Sequence, residues 1–256
     1  MKVLLLGTGT SQGIPIIGCN CETCLSENPK DKRLRVSCFI IVNDIKILID
    51  TSIDFRQQLL KHNITDLDAI LFTHHHVDHI FGLDDLRQIN QRMKKYVDVY
   101  GNKMTLDEIK ITFRYALDEE LIRYRAVPLM NFNYIENKIF KVKDIEVIPI
   151  EVSHGRLKIF GYRIGKFAYI TDCSAISDEE LKKLENLDVL VLNALRRTPH
   201  PTHLNLEQAV EISLKVKPKK TYFTHITHDL KHDYINSILP PNIELGYDGL
   251  EFEIND

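Results

Sequence analysis

The sequence predicts an α/β domain built as a four-layer αββα sandwich: two mixed sheets packed face to face, with helices on the outside. Two features of the order predict it. Apolar runs of strand length come first in pairs, and later alternate with helix-length segments that have a polar face. The two halves of the chain share this texture, with no repeat of fixed period. Size and composition add a third. The chain has 256 residues, 44% hydrophobic and 8% aromatic, which is enough for one large core and too apolar for disorder. Residues 1–256 are therefore read as a single domain.

In order, Lys2–Leu6 reads as a strand, followed by the glycine-rich turn Gly7-Thr8-Gly9-Thr10-Ser11. Such a turn can offer amides to an anion, although most are only tight turns. Residues 12–36 form a long loop that needs something to organise it. It ends in the basic run Lys30–Arg35, read as solvated charge or as a phosphate-facing rim. Cys38–Val42 and Ile45–Ile49 form a hairpin across Asn43-Asp44. Asp54 caps a helix to His62. Ala69–Phe72 is a buried strand, Gly82–Lys95 a helix, Val97–Tyr100 a short strand and Leu106–Tyr115 helical. Periodicity weakens over 116–138, and an insertion is expected at 101–138. Ile139–Val142, Ile145–Ile150, Lys158–Ile164 and Phe167–Thr171 read as consecutive strands. A helix at Asp178–Leu184, a strand at Val189–Leu192, a helix at Leu206–Val216 and a strand at Thr221–Thr224 complete the alternation. Ile243–Leu245 and Leu250–Ile254 are extended.

Charge and targeting features narrow the class. A net charge of −3 gives no global basic field, so nucleic acid is the less favoured partner. Met1–Leu6 is too short for a signal peptide or a membrane span. Three of the five cysteines crowd into residues 19–24. Without a secretion signal that favours metal binding over disulfides and suits a reducing cytoplasm. No membrane partner is expected.

The chemistry concentrates at residues 74–79, His-His-His-Val-Asp-His, directly after an apolar strand. His74 and His76 alternate in an extended loop and can aim the same way. Asp78 and His79 fall where the next helix begins. His154, Asp172 and His225 each follow a strand-like run of their own, and strand ends are rigid platforms for ligands. Imidazole and carboxylate suit zinc, manganese or iron. The seven have the types and number for two ions sharing one hydrolytic water. Paired ions lower the pKa of such a water and neutralise charge on a substrate oxygen. His75 is off the ligand spacing. Cys19, Cys21 and Cys24 want a fourth ligand for a closed tetrahedral zinc. His228 is the candidate, with His232 and Cys38 behind it. His62 receives no role, and Cys173 is read as a packed small residue.

The His-x-His-x-Asp-His loop with His154, Asp172 and His225 resembles the metallo-β-lactamase fold superfamily. The resemblance implies that His74, His76 and His154 hold one ion, that Asp78, His79 and His225 hold the other, and that Asp172 bridges. It also implies that Asp50 orients a ligand histidine. Gly7–Gly13, the three-cysteine loop and Thr224-His225-Ile226-Thr227-His228 look like one branch. That branch includes the cyclic-phosphate phosphodiesterase of the carbon–phosphorus lyase pathway. Its members carry two catalytic divalent ions and a separate structural zinc held by three cysteines and a histidine. A histidine just before the Leu206–Val216 helix is placed there to protonate the leaving oxygen; His203 matches it, with His200 as fallback. Asp78 and His203 are thus the candidate catalytic residues. Arg196 and Arg197 are either phosphate contacts or surface charge.

The expected function is hydrolysis of small or cyclic phosphate esters by a metal-bridging hydroxide, with homodimerisation as a family-level expectation. A transfer-RNA 3′-processing endonuclease is the alternative, but residues 101–138 lack the glycine-rich basic arm of that family. A thioester hydrolase shares all seven ligands and lacks the cysteine loop. A non-catalytic zinc-stabilised binding module is the least favoured reading, because no ligand position is missing.

Overall fold

The structure is a computed structural model and describes residues 1–255. The first sheet takes β1 (Lys2–Gly7), β2 (Ser37–Val42), β3 (Ile45–Ile49), β4 (Ala69–Leu71), β5 (Val97–Gly101) and β6 (Met130–Tyr134). The second takes β7 (Phe140–Val142), β8 (Ile145–His154), β9 (Leu157–Ile164), β10 (Phe167–Ile170), β11 (Ala175–Ile176), β12 (Val189–Asn193), β13 (Lys220–Thr224) and β14 (Ile243–Leu245). The last strand, β15 (Glu251–Glu253), returns to the first sheet and pairs with β1. The strand orders are β15-β1-β2-β3-β4-β5-β6 and β11-β8-β9-β10-β12-β13-β14, with β7 on β8. In each sheet antiparallel neighbours give way to parallel ones, at β3–β4 and at β10–β12. Both sheets are therefore mixed.

The layering follows from side-chain alternation along the strands. Ile45, Ile47 and Ile49 of β3 face the seam between the sheets, where they meet Val147, Phe160, Tyr162, Phe167 and Val191. Leu48 faces outward, with Phe55, Leu59, Leu83 and Leu106. In β12, Val189 and Val191 enter the seam, while Leu190 and Leu192 pack with Leu206, Ala209 and Ile235. Burial on both faces is why these strands read as continuous apolar runs. The outer layers carry α1 (Glu22–Leu25), α2 (Phe55–Lys61), α3 (Val77–Ile80), α4 (Leu86–Met93), α5 (Lys103–Thr112), α6 (Glu119–Arg123), α7 (Asp178–Lys182), α8 (Leu206–Val216) and α9 (His232–Asn236). The β2–β3 turn holds Asn43 and Asp44 at φ 48° and 62°, the left-handed pair that a two-residue hairpin demands.

Several local expectations need correcting. Asp54 stands at the start of α2 but makes no capping bond. Its carboxylate instead accepts the Arg35 amide at 2.8 Å and the Arg35 guanidinium at 3.2 Å. The helix expected over 82–95 is a 3₁₀ turn, Phe81–Asp85, followed by α4. The 106–115 helix starts earlier, at Lys103, because Asn102 caps it through the Thr105 amide. Part of the 101–138 segment extends the first sheet. Residues 130–134 form edge strand β6, parallel to β5, and Phe113, Ala116, Val127 and Leu129 are buried beneath it. Among the described residues no helix is long and apolar enough to cross a membrane.

Candidate metal centre

Seven candidate ligands meet at one end of the sandwich. His74 and His76 follow β4, Asp78 and His79 lie in α3, and His154 ends β8. Asp172 comes two residues after β10, and His225 one residue after β13. Asp172 and His225 hold φ values of 55° and 54°, and Asp50, just past β3, holds 59°. Left-handed backbone at a non-glycine residue costs on the order of 1–3 kcal/mol and persists where the surroundings enforce it. Here it turns three strand ends sharply enough to aim their side chains inward.

The ligand atoms fall into two sets. Those of His74, His76 and His154 lie within 4.8 Å of one another, as do those of Asp78, His79, Asp172 and His225. Asp172 also groups with His154 and His203, so this carboxylate of one set lies within 4.8 Å of a member of the other. His74 Nε2 stands 3.1 Å from His76 Nδ1; two nitrogens on one tetrahedral zinc would stand about 3.3 Å apart, given bonds of ~2.0–2.1 Å. Asp172 places Oδ2 3.2 Å from His79 Nε2 and Oδ1 3.3 Å from His225 Nε2. Asp78 lies 3.4 Å from His79 and 3.7 Å from His225.

The donor set fits cations. His79 Nε2 and both nitrogens of His225 are buried without a hydrogen-bond partner, a costly state unless something positive meets them. Burial alone would raise Asp172 and Asp78. Instead His225 and His79 hold Asp172 well below the usual carboxylate range, and His79 does the same for Asp78. Burial opposes charge on His79, but Asp172, Asp78 and Asp50 overcome it and push the imidazole well up. Burial, with His79 beside it, drives His74 well down, toward the neutral form that binds metals. Asp50, fully buried, takes His79 Nδ1 at 2.7 Å, the geometry expected of a carboxylate that fixes a ligand ring.

A polar cavity of about 410 Å³ opens over this floor, lined by Ser11, Gln12, Leu195, Arg196, His200, Thr202, His203 and Thr227. His203 puts Nε2 3.0 Å from Asp172 Oδ1 and stacks on His225. Burial pushes its pKa down to about 4 against the pull of Asp172. His200 sits one step back, its Nδ1 3.1 Å from that of His203. The two arginines part company. Arg196 lines the cavity, its guanidinium pinned by the carbonyls of Thr198 and Pro199 at 3.3 and 3.1 Å. Arg197 lies over the Tyr234 ring. Residue-type reasoning missed Thr202, whose carbonyl stands 2.8 Å from His154 Nδ1. Gly155 leaves room for that loop: a Cβ there would come 2.8 Å from the Thr202 methyl. A main-chain contact of this kind leaves no residue-type signal.

The second cluster is Cys19, Cys21, Cys24 and His228, with His228 Nδ1 at 3.3, 3.3 and 3.5 Å from the three sulfurs. The other fourth-ligand candidates are elsewhere: Cys38 is in the inter-sheet core, and His232 faces Arg33. Burial pushes Cys24 up to about 11. It acts the same way on Cys21, but the Cys24 amide, Cys19, Cys24 and His228 bring Cys21 down to about 7. One thiol ready to ionise beside a reluctant neighbour is what a dication would resolve. The glycine-rich turn has few uncommitted amides to offer an anion. The amides of Gly9, Thr10, Gly13 and Ile14 are taken by Leu34, Ile226, Thr10 and Arg33 carbonyls. Gly7 is needed for contact, since a Cβ would lie 1.9 Å from the Arg35 carbonyl oxygen. Nor is Lys30–Arg35 a phosphate rim, because Arg33 is buried and Arg35 pairs with Asp54.

Residues 46–226 match the β-lactamase superfamily domain, and the chain belongs to that superfamily and has the metallo-β-lactamase fold. Its branch is that of the PhnP family: the crystal structure of a new diphosphatase from that family superposes with a TM-score of 0.93 at 41% identity, covering 99% of this chain and 98% of that one. An octanoyltransferase of Porphyromonas gingivalis is 41% identical over 260 residues, all of this chain but 52% of that protein. A ribonuclease Z of Methanopyrus kandleri is 29% identical over 143 residues, 53% of this chain and 46% of the relative. The chain thus spans about half the length of these two relatives.

Proposed function

We propose that the protein is a dinuclear-metal phosphodiesterase acting on small or cyclic phosphate esters. One observation carries the reading: Asp172 belongs to one ligand set and lies within 4.8 Å of His154 of the other, on the floor of a polar cavity that also presents His203 and Arg196. His74, His76 and His154 would hold one ion, Asp78, His79 and His225 the other, and Asp172 both. Cys19, Cys21, Cys24 and His228 would hold a structural zinc. When bound, the paired ions supply an activated water and neutralise charge on the phosphoryl oxygens. The chain's own residues do the rest. Arg196 spends Nε and Nη2 on the Thr198 and Pro199 carbonyls and leaves Nη1 without a hydrogen bond among the described residues, which places it to bind a phosphate oxygen. His203 delivers a proton to the departing alkoxide, which leaves poorly without one. Its low pKa in the free protein requires the incoming anionic substrate to favour the imidazolium. Asp172 keeps His203 over the floor.

Turnover of bis(p-nitrophenyl) phosphate and of a panel of sugar and nucleoside cyclic phosphates, with zinc- or manganese-loaded protein, tests this. Loss of turnover in Asp172→Ala and His76→Ala is expected, and unchanged activity in either would overturn the reading. The ribonuclease Z relatives support a second reading, a nuclease. Cleavage of a precursor transfer RNA in preference to the small esters would favour it.

A further inference from the structure

We infer that Thr73 is a positioning residue, whose hydroxyl ties His74 to the same buried carboxylate oxygen that orients His79. The inference rests on the two-ion reading above but concerns a residue outside the ligand set. Asp50 is fully buried, and its oxygens are shared among three donors. Oδ1 accepts the Thr73 amide at 2.8 Å. Oδ2 accepts the Thr73 hydroxyl at 2.8 Å and faces His79 Nδ1 at 2.7 Å.

Proton counting then fixes the rest. A carboxylate only accepts, so the single hydroxyl proton of Thr73 is spent on Asp50. Thr73 Oγ1 also stands 3.0 Å from His74 Nδ1, and it is left only with lone pairs to offer there. His74 must therefore carry its proton on Nδ1 and leave the Nε2 lone pair bare. That Nε2 is the atom 3.1 Å from His76 Nδ1, in the first ligand set. On the other side, His79 donates from Nδ1 to Asp50, so the nitrogen it turns toward Asp172 and Asp78 is Nε2. One oxygen thus orients a histidine in each set, directly for His79 and, for His74, through one hydroxyl that also fixes its tautomer. Thr73 is itself fully buried, so water does not substitute for it. Burial of a threonine at a strand end has a bland reading as well, since its methyl simply packs, and the test separates the two.

Thr73→Val keeps the shape and removes the hydroxyl; Thr73→Ser keeps the hydroxyl and removes the methyl. Zinc titration of metal-free protein by calorimetry with chelator competition reads the ions separately. The expected result for Thr73→Val is about 10–100-fold weaker binding of one ion with the other unchanged. Thr73→Ser should restore it, and Asp50→Asn should weaken both. Equal affinities in Thr73→Val and wild type, or equal weakening in the Val and Ser variants, would overturn the inference. A measurement on the wild type alone guards against a variant that fails to fold. Nitrogen-15 NMR of histidine-labelled, metal-free protein should find His74 in the Nδ1–H tautomer, and finding Nε2–H sinks the relay. If the wild type binds no zinc at the seven residues, the function proposed above fails while the tautomer result still decides the role of Thr73.

Discussion

Replacing Arg33 with methionine should cost on the order of 3–5 kcal/mol, because it strands buried acceptors that only a cation now satisfies. The guanidinium is 1% exposed. It donates to Thr8 Oγ1 at 2.7 Å and the Gly246 carbonyl at 2.5 Å, and Nη2 lies 3.2 Å from His232 Nδ1. Asp31 and Asp248 are its electrostatic partners. Asp31 accepts the His232 amide and Asp248 the Leu34 amide. Methionine fills the volume and leaves both carboxylates. For a chain of this size the loss corresponds to a drop in Tm of about 10–15 °C. The pH dependence gives a second handle. Burial raises Asp248 to about 6. A carboxyl raised above its unfolded value of 3.8 contributes stability that is present below pH 3.8 and lost as pH climbs through 6. Without Arg33 to oppose the shift, Asp248 rises further. The deficit of the variant should therefore be larger at pH 8 than at pH 5. Chemical denaturation followed by circular dichroism at both pH values checks it. A loss under about 1 kcal/mol, or one independent of pH, refutes the role assigned to this cluster.

Three further outcomes follow from the site. His203→Ala should lower kcat about 10²–10⁴-fold for alkyl phosphodiesters and far less for p-nitrophenyl esters, whose leaving group needs no proton; equal losses across a leaving-group series would remove His203 as the acid. Cys24→Ser should reduce metal content from three ions per chain to two by elemental analysis and expose residues 12–36 to limited proteolysis, whereas unchanged content would dissolve the structural-zinc assignment. Gly82→Ala should cost about 1–3 kcal/mol, since a Cβ there would sit 2.1 Å from the Ser52 carbonyl oxygen and 2.4 Å from Phe55 Cβ; thermal unfolding reads the loss, and a neutral result would mean the 3₁₀ turn Phe81–Asp85 yields freely.

Much of the architecture was legible because both sheets bury both faces. The seam and outer faces of β3 and β12 are apolar alike, so the strands stand out as unbroken runs. The candidate ligands were legible for a different reason: imidazoles and carboxylates at strand ends have few packing uses. β6 escaped because Asn131 and Asn133 alternate with Met130 and Phe132 at a sheet edge, which dilutes the apolar signal. Arg33 escaped because its burial is set by residues far along the chain. Within the run Lys30–Arg35 it looks like its solvated neighbours, and only the approach of Gly246, Asp248 and His232 encloses it. Asp54 was misread for a related reason. Its position favours a cap, but the Arg35 amide and guanidinium compete for its oxygens and win with a charge-assisted bond.

These long-range contacts make the cysteine cluster, the Arg33 network and the cavity rim one mechanical unit. Ser11 and Gln12 overhang the cavity from a turn whose flanks are tied to Leu34 and Arg33 on one side and to Ile226 on the other. Ile226 lies between His225, a candidate ligand on the cavity floor, and His228, which meets the three sulfurs. A shift of the cysteine loop therefore cannot leave the His225 strand end where it is, and that strand end already holds left-handed backbone that only its surroundings maintain. Between Ile14 and Val36, which are buried, the loop puts Ile17 and Leu25 out in solvent. It is tied down instead by polar contacts, above all by the buried Arg33 guanidinium on Thr8 and Gly246. A metal held by the three cysteines and His228 would add to that restraint at the rim of the cavity, where a displacement of about 1 Å matters to chemistry, whereas the body of the sandwich is held by its two sheets.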